Sequence, residues 1–435
     1  MELVQGIIRE VAANDSAGDA AGGLRALMLS SKFLKASVLG EQSVKEYYEF
    51  LQPLIGAFNA LKPHLAIHQM NRHMLALMGP KQRKGQVSAA LDLASEWHKA
   101  WTIALLGAGL AALERPQQRA LVKAALDLDD ERDKAKAIAG LGAGLAALER
   151  RQQEALITAA LGLTDNWYKA LAIAGLGAGL VALERPQQEA LVTAALGLTD
   201  DWHKAQAIAG LGAGLAALER PQQEALVTAA LGLADEWDKA QAIAGLGAGL
   251  AALERSQQQM LVTTALGLVN GLHKAQIIAG LGAGLAAFER LQQEALVTAA
   301  LGLADEWDKA QVIAGLSAGL SALERSQQQA LVTAALGLAG GWDKAQAIAG
   351  LGAGLTALER PQQQALVKAA LGLADEWHKA KAIAGLGARL TVLERPQQQE
   401  LVIAALGLTD VRHQAEAIAG LVNGYQASRV HGYLR

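Results

Sequence analysis

The feature that most constrains this chain is a 35-residue unit that recurs with almost no drift from about residue 81 to near the C-terminus. One copy, from Pro186 to Arg220, reads PQQEALVTAALGLTDDWHKAQAIAGLGAGLAALER. A fixed period of this size predicts a solenoid, in which each repeat packs mainly on its two neighbours. A Glu-Arg pair closes the unit without insertion or deletion at Glu114, Glu149, Glu184, Glu219, Glu254, Glu289, Glu324, Glu359 and Glu394.

Each unit has the pattern of two helices. Pro186 stands where a first-turn proline is tolerated, and the apolar spacing that follows predicts helix A over residues 186–198. Asp200 supplies an N-cap, and the apolar stripe from Ile208 to Leu218 predicts helix B over residues 200–218. Because the other faces of helix B carry mainly Ala and Gly, we expect helix B to form the crowded layer between neighbouring units.

Three glycines interrupt the predicted helix B, at Gly210, Gly212 and Gly214. Each costs about 1 kcal/mol relative to Ala in a helix interior, so an interaction must offset them. Close backbone approach between stacked helices is the simplest explanation. The alternative is that the glycines keep the solenoid pliable, and the sequence does not separate the two.

These patterns predict an all-α fold, a right-handed α-solenoid of about ten two-helix repeats over residues 81–425. Residues 426–435 form a C-terminal tail. Residues 1–80 differ in composition and predict a helical N-terminal cap or small domain. Aromatic side chains that most repeats lack are concentrated there, at Phe33, Tyr47, Tyr48, Phe50 and Phe58.

Composition disfavours several classes of function. The formal net charge is -3, so no global basic field exists to attract nucleic acid or an anionic membrane. The chain has no Cys for disulfides or thiolate metal sites. The repeat contains no apolar run long enough to span a membrane, and the N-terminus lacks the pattern of a Sec signal. We expect a cytoplasmic protein, or one secreted into a host cell without a Sec signal.

No catalytic, cofactor or metal site is predicted. The string G-L-G-A-G-L has the glycine spacing of a dinucleotide motif, but it lies in mid-helix and follows no strand. His64, His68 and His73 could share a helical face, yet no Cys, Asp or Glu stands among them to complete a zinc site. An enzyme would require a site within residues 1–80, which is a small segment for that purpose.

The copies differ most at the turn between helices A and B and in the first turn of helix B. Seven of the eight tryptophans share one position there, where they either join adjacent units or serve as surface recognition anchors. We consider them candidate partner-binding residues: Trp97, Trp167, Trp202, Trp237, Trp307, Trp342 and Trp377.

The position after the tryptophan varies among His, Asp and Tyr. We expect these side chains to face solvent and to determine specificity. They are His98, Asp133, Tyr168, His203, Asp238, His273, Asp308, Asp343, His378 and His413.

A lysine follows in almost every unit, near the N-terminal end of helix B where the helix dipole disfavours a cation. Asp200 precedes Lys204 by four residues, so a surface ion pair is expected. The alternative is a row of ammonium groups for phosphates. Gln187, Gln188 and the Glu-Arg pairs predict hydrogen bonds and ion pairs between units.

Two helices in 35 residues resemble the α-solenoid class that includes tetratricopeptide, pentatricopeptide and HEAT-type repeats. The tetratricopeptide pattern W-x2-L-G-x2-Y is absent. The outline is also similar to TAL-effector-like DNA readers, in which a short helix, a variable turn and a longer helix alternate. Lys204-Ala205-Gln206 and the turn before it carry that resemblance, without the Gly-Gly-Lys-Gln signature and with mostly acidic turns.

The sequence therefore favours a non-enzymatic binding scaffold with no cofactor, which presents an extended surface to a protein or peptide partner. Near-identical repeats also suit bacterial expansion and an effector role. The alternative is modular nucleic-acid recognition, with lysines on phosphates and the variable turns on bases. A purely structural spacer is a third hypothesis.

Overall fold

The computed structural model describes residues 80–107 and 109–433, and its regular secondary structure in those ranges is helical. Helices A and B alternate along the chain. Helices A are α1 Pro80–Leu91, α3 Arg115–Leu126, α5 Arg150–Leu161, α7 Arg185–Leu196, α9 Arg220–Gly232, α11 Arg255–Gly267, α13 Arg290–Leu301, α15 Arg325–Gly337, α17 Arg360–Leu371 and α19 Arg395–Leu406. Helices B are α2 Glu96–Gly107, α4 Glu131–Gly142, α6 Asn166–Gly177, α8 Asp201–Leu211, α10 Glu236–Leu246, α12 Gly271–Leu281, α14 Glu306–Leu316, α16 Gly341–Leu351, α18 Glu376–Gly387 and α20 Val411–Tyr433.

Each helix B packs on the helix B of the next unit, so the fold is an all-α solenoid. The core is continuous along the described repeats, because the same positions are buried in unit after unit. In one unit they include Leu191, Ala195, Ile208 and Leu211, all with no exposed surface. The predicted cap and the three histidines between residues 64 and 73 lie outside the described residues.

Helix B is shorter than the sequence predicts. The α-helix that was expected to reach residue 218 ends at Leu211, and a 3-10 helix, Gly212–Ala217, completes the segment. Leu218 N–H donates to Leu215 O at 3.1 Å, an i to i−3 bond of the tighter helix. The change of helix type comes where two glycines weaken α-helical preference. Equivalent 3-10 helices are Leu110–Ala112, Leu145–Ala147, Leu180–Ala182, Gly247–Ala252, Gly282–Ala287, Ser317–Ala322, Gly352–Ala357 and Leu390–Val392.

The glycines allow helices B to approach each other at backbone distance. A Cβ on Gly210 would lie 2.1 Å from Ala174 Cα of the preceding unit. A Cβ on Gly212 would lie 2.1 Å from Gly245 O of the following unit. Side chains larger than hydrogen cannot occupy these places without moving a backbone. The expectation of a crowded helix B layer is confirmed, and close approach accounts for the glycines.

Helix A begins with the same cap in unit after unit. Gln187 Oε1 accepts from Glu184 N–H at 2.9 Å, which closes the first turn of α7. Gln188 is buried, and its Nε2 donates to Leu180 O at 2.9 Å and Leu183 O at 3.0 Å. These bonds join residues close in sequence and anchor the 3-10 helix to helix A. The glutamine hydrogen bonds that were expected between units form in only some of the units. One of them runs from Gln362 Nε2 to Gln329 Oε1 at 2.6 Å.

The Glu-Arg pairs do connect neighbouring units. Arg220 lies 3.3 Å from Glu254, and Arg290 lies 2.7 Å from Glu324. Because the side chains are exposed, each pair contributes only about 0–1 kcal/mol. The ladder follows the outside of the helix A layer, and the core provides most of the cohesion.

Candidate partner-binding edge

The seven predicted tryptophans form one row along the solenoid, which we call the tryptophan edge: Trp97, Trp167, Trp202, Trp237, Trp307, Trp342 and Trp377. In most of these units an Asp caps helix B, and the tryptophan follows in the first turn. Asp165 Oδ1, for example, accepts from Trp167 N–H at 2.8 Å. Trp342 is half-buried, whereas the other six expose 38–47% of their surface.

Two pairs of neighbouring tryptophans on the edge contact each other. The ring centroids of Trp167 and Trp202 are 5.3 Å apart, and those of Trp342 and Trp377 are 4.5 Å apart. Trp237 meets His273 of the next unit at 5.8 Å. The sequence suggested that the tryptophans either join adjacent units or stand on the surface. The rings do both, because they touch between units and remain open to solvent.

Arg132 and Leu272 interrupt the tryptophan row, so Trp97 stands alone and the other six tryptophans form two blocks. The first block is Trp167, Trp202 and Trp237. The second block is Trp307, Trp342 and Trp377. Within each block, three consecutive units present the same aromatic side chain at the same place.

The position after the tryptophan does not face solvent as predicted. Asp133, Asp238 and Asp308 are buried, with 5–7% of their surface exposed. The others, from His98 to His413, are half-buried: His98, Tyr168, His203, His273, Asp343, His378 and His413. The physical reason is the close packing of helices B, because this position is about 100° around the helix from the tryptophan and turns toward the neighbouring unit. A role for these residues in specificity remains a proposal.

Burial makes the aspartates in this row weaker acids. Desolvation raises the pKa of Asp133, Asp238, Asp308 and Asp343 above its ordinary value. For Asp238, the carboxylates of Asp235, Asp201 and Asp200 raise the pKa further. The turns of adjacent units therefore place several acids close together beside the first block.

The turn acids also connect units, which the sequence analysis missed. Glu306 accepts from the backbone N–H groups of Ala339 and Gly340 in the next turn, at 3.1 and 2.9 Å. Glu131 and Glu376 make the same bonds one unit ahead. These backbone donors lower the pKa of all three carboxyls. The sequence signal for these bonds between units was the recurrence of Asp or Glu directly before the tryptophan position.

The lysine row lies apart from the tryptophan edge. Lys204 is two residues after Trp202, which corresponds to about 200° around helix B. The expected ion pair with Asp200 does not form, because Asp200 Oδ1 instead accepts from His203 N–H at 3.1 Å and caps the helix. Lys309 and Lys344 nevertheless help to lower the pKa of Glu306.

Two lysines elsewhere lie over tryptophan rings. Lys381 Nζ is 3.7 Å from the ring centroid of Trp342, and Lys136 Nζ is 3.9 Å from that of Trp101. Both are cation–π contacts between neighbouring units. Burial lowers the pKa of both lysines.

Within the described ranges, no group of three or more His, Asp or Glu side chains could hold a metal ion. No helix in the same ranges combines the length and apolar character needed to cross a bilayer.

No protein-family model matches the chain, and no curated protein matches it. Among solved structures, the chain is similar to one titled "Homology model of the full-length AP-3 complex in an intermediate open conformation". The match has 10% sequence identity and a TM-score of 0.22, and it covers 99% of this chain and 85% of the other. A TM-score of that size carries no argument about function.

Proposed function

We propose that this protein is a non-enzymatic binding scaffold and that the tryptophan edge is its contact surface for a protein or peptide partner. The observation that carries the proposal is the exposure of large aromatic side chains at one repeated position. Tryptophan is enriched among the residues that dominate binding energy at protein interfaces. Six half-exposed indoles recur at one position and form a row, whereas the other large exposed apolar side chains, such as Val181, Leu291 and Ile403, occur singly.

The repeat gives this surface its regularity. Because the backbone contacts of helices B recur from unit to unit, the tryptophans of one block stand at equivalent places in successive units. A partner with its own repeated side chains can therefore engage several units at once. Each additional unit then binds at a high effective concentration, which raises the overall affinity.

Nucleic acid is a less suitable partner for the same edge. The carboxyls of Glu131, Glu306 and Glu376 have lowered pKa values, so they are ionised at neutral pH and repel phosphates. The lysines of the row that includes Lys204 lie about 200° around helix B from the tryptophans.

The test is affinity capture from a lysate of the source cells with the intact protein as bait. A parallel bait carries Trp167→Ala, Trp202→Ala, Trp237→Ala and Trp307→Ala. A matched control carries Thr193→Ala, Thr228→Ala and Thr263→Ala on the exposed face of helix A. Circular dichroism first establishes that all three baits are folded.

We expect a protein that is captured by the intact chain and by the threonine control and lost with the tryptophan variant. Equal capture by all baits would contradict a role for the edge. Nuclease-sensitive capture would favour nucleic-acid recognition instead.

A further inference from the structure

The first block combines exposed indoles with acids that directly precede them in the chain. Trp167 follows Asp165 and Asn166, Trp202 follows Asp200 and Asp201, and Trp237 follows Asp235 and Glu236. Among these, Asp165, Asp200, Asp235 and Glu236 are exposed. The surface offered to a partner is thus aromatic and acidic together.

The negative charge of this surface is not neutralised by neighbouring cations. In the part of the chain that the structure describes, no Lys or Arg lies within ion-pair distance of these acids. The nearest basic groups are imidazoles, with His203 Nδ1 3.4 Å from Asp200 and His273 Nδ1 3.5 Å from Glu236. Burial is the main cause of the raised pKa of Asp238, and the surrounding carboxylates raise it further.

The same protein already places cations on tryptophans of this helix layer. Lys381 occupies one face of Trp342 at 3.7 Å, in a unit whose turn has Gly340 and Gly341 where others have acids. In the first block the structure describes no lysine or arginine over the rings. The rings contact aromatic neighbours such as Tyr168 and His273, but each tryptophan keeps 38–45% of its surface exposed. That surface is available for a cation from outside the chain, with acids beside it to pair with the cation.

The closeness of the units limits the shape of the partner. Adjacent helices B approach at backbone distance, and the ring centroids of Trp167 and Trp202 are 5.3 Å apart. One continuous extended segment can therefore contact all three units of the first block.

We propose that the first block binds an extended basic segment that carries several Arg or Lys side chains. This inference rests on the proposed function, since it specifies the partner of the same edge. Each cation lies against one indole and pairs with the acids before it. Arg suits the site best, because its planar guanidinium stacks on aromatic rings and also pairs with carboxylates.

The experiment measures binding of a fluorescein-labelled 12-residue peptide to the full-length chain by fluorescence anisotropy at pH 8. The peptide has Arg at every third position with Gly and Ser between. Two comparison peptides have Glu in place of Arg or Gln in place of Arg.

We expect binding of the evenly spaced Arg peptide, weakened at least about tenfold by Trp167→Ala, Trp202→Ala and Trp237→Ala together. Asp200→Asn with Asp235→Asn should weaken it about threefold or more, because asparagine still caps the helix while the charge is lost. The threonine control variant should bind as the intact chain does. The affinity should fall as salt is raised.

Failure of this inference is distinguishable from failure of the proposed function. Equal binding of the Gln or Glu peptide, or no binding of any peptide, would overturn the basic-segment proposal. Tryptophan-dependent capture of a protein from lysate would then leave the scaffold intact with another partner chemistry. If capture were also independent of the tryptophans, both proposals would fall.

Discussion

At the residue scale, glycine has two different roles within one unit. Gly245 lies where a Cβ would be 2.2 Å from Ala209 Cα of the preceding unit. Gly232 ends helix A, and a Cβ there would meet nothing within 4 Å. The two positions provide a matched test of the close-packing argument.

We expect Gly245→Ala to destabilise the protein by about 1–3 kcal/mol or more, because the added methyl group forces two backbones apart. Gly232→Ala should be neutral or stabilising by up to about 1 kcal/mol, because alanine favours the helix. Urea unfolding followed by circular dichroism measures both. Similar effects of the two substitutions would contradict the assigned backbone contact.

Asp238 gives a prediction about pH. Its folded-state pKa is raised, so the folded chain disfavours the ionised carboxylate, and its contribution to stability is lost as pH rises through that pKa. Asp238→Asn should therefore raise the melting temperature at pH 7. The gain should disappear below about pH 3.9, where the unfolded chain also protonates this group.

Asp375 is the control of opposite sign, because its pKa is lowered, chiefly by the backbone N–H of His378. Its stabilisation is present above the unfolded-state pKa and is lost as pH falls through the folded-state pKa. Asp375→Ala should lower the melting temperature at pH 7, and the loss should fade in acid. A melting temperature that Asp238→Asn lowers at pH 7 would show that this carboxylate has a stabilising contact when ionised.

Sequence reasoning located the tryptophan position but not the orientation of the residue that follows it. The residue types at Asp238 and its equivalents suggested a solvated face, because charged side chains are seldom buried. Their burial results from the distance between helices B, which the glycines at neighbouring positions determine. The burial of Asp238 thus depends on glycines at other positions, and the residue type at position 238 alone does not reveal it.

At the element scale, the A-to-B turn is a connection between units as well as a link between two helices. Glu306 accepts two backbone N–H groups from the next turn, and its lowered pKa keeps it ionised at neutral pH. Units with Gly271 or Gly341 at this position lack the carboxylate. Sequence differences at the turn therefore also change how strongly neighbouring units are held together.

We expect Glu306→Ala to accelerate hydrogen exchange at the amides of Ala339 and Gly340 at neutral pH. The effect should diminish in acid, because protonation of Glu306 weakens the same bonds. Glu224→Ala, on the exposed face of helix A, serves as the control and should leave that exchange unchanged. Unchanged exchange in the Glu306 variant would remove the proposed role of this carboxylate.

The length of the α-helix in helix B could not be predicted from the apolar periodicity alone. The apolar stripe through Ile208 and Leu218 is buried throughout, as predicted, yet the α-helix ends at Leu211. A 3-10 helix can continue to direct leucines inward, so the apolar pattern alone does not distinguish the two helix types. The glycines at positions 212 and 214 were the sequence signal for the change from α-helix to 3-10 helix.

At the scale of the whole molecule, the 35-residue period predicts the solenoid fold but does not identify the partner. A solenoid can be read from its repeat because each unit contacts only its neighbours. The binding surface depends on which repeated side chains remain exposed. That exposure depends on packing between units, which the sequence of one unit does not specify.

The central claim is that the tryptophans form an open and acidic edge, and collisional quenching of tryptophan fluorescence tests it most directly. Caesium and iodide are titrated separately into the intact protein and into the Trp167→Ala, Trp202→Ala and Trp237→Ala variant. We predict that most of the emission is quenchable. Relative to the quenching of free N-acetyltryptophanamide by the same ion, caesium, a cation attracted to the acids, should quench better than iodide. The variant should lose mainly quenchable emission. Blue-shifted emission that neither ion reaches would instead mean that the indoles are buried between units, and it would contradict the account.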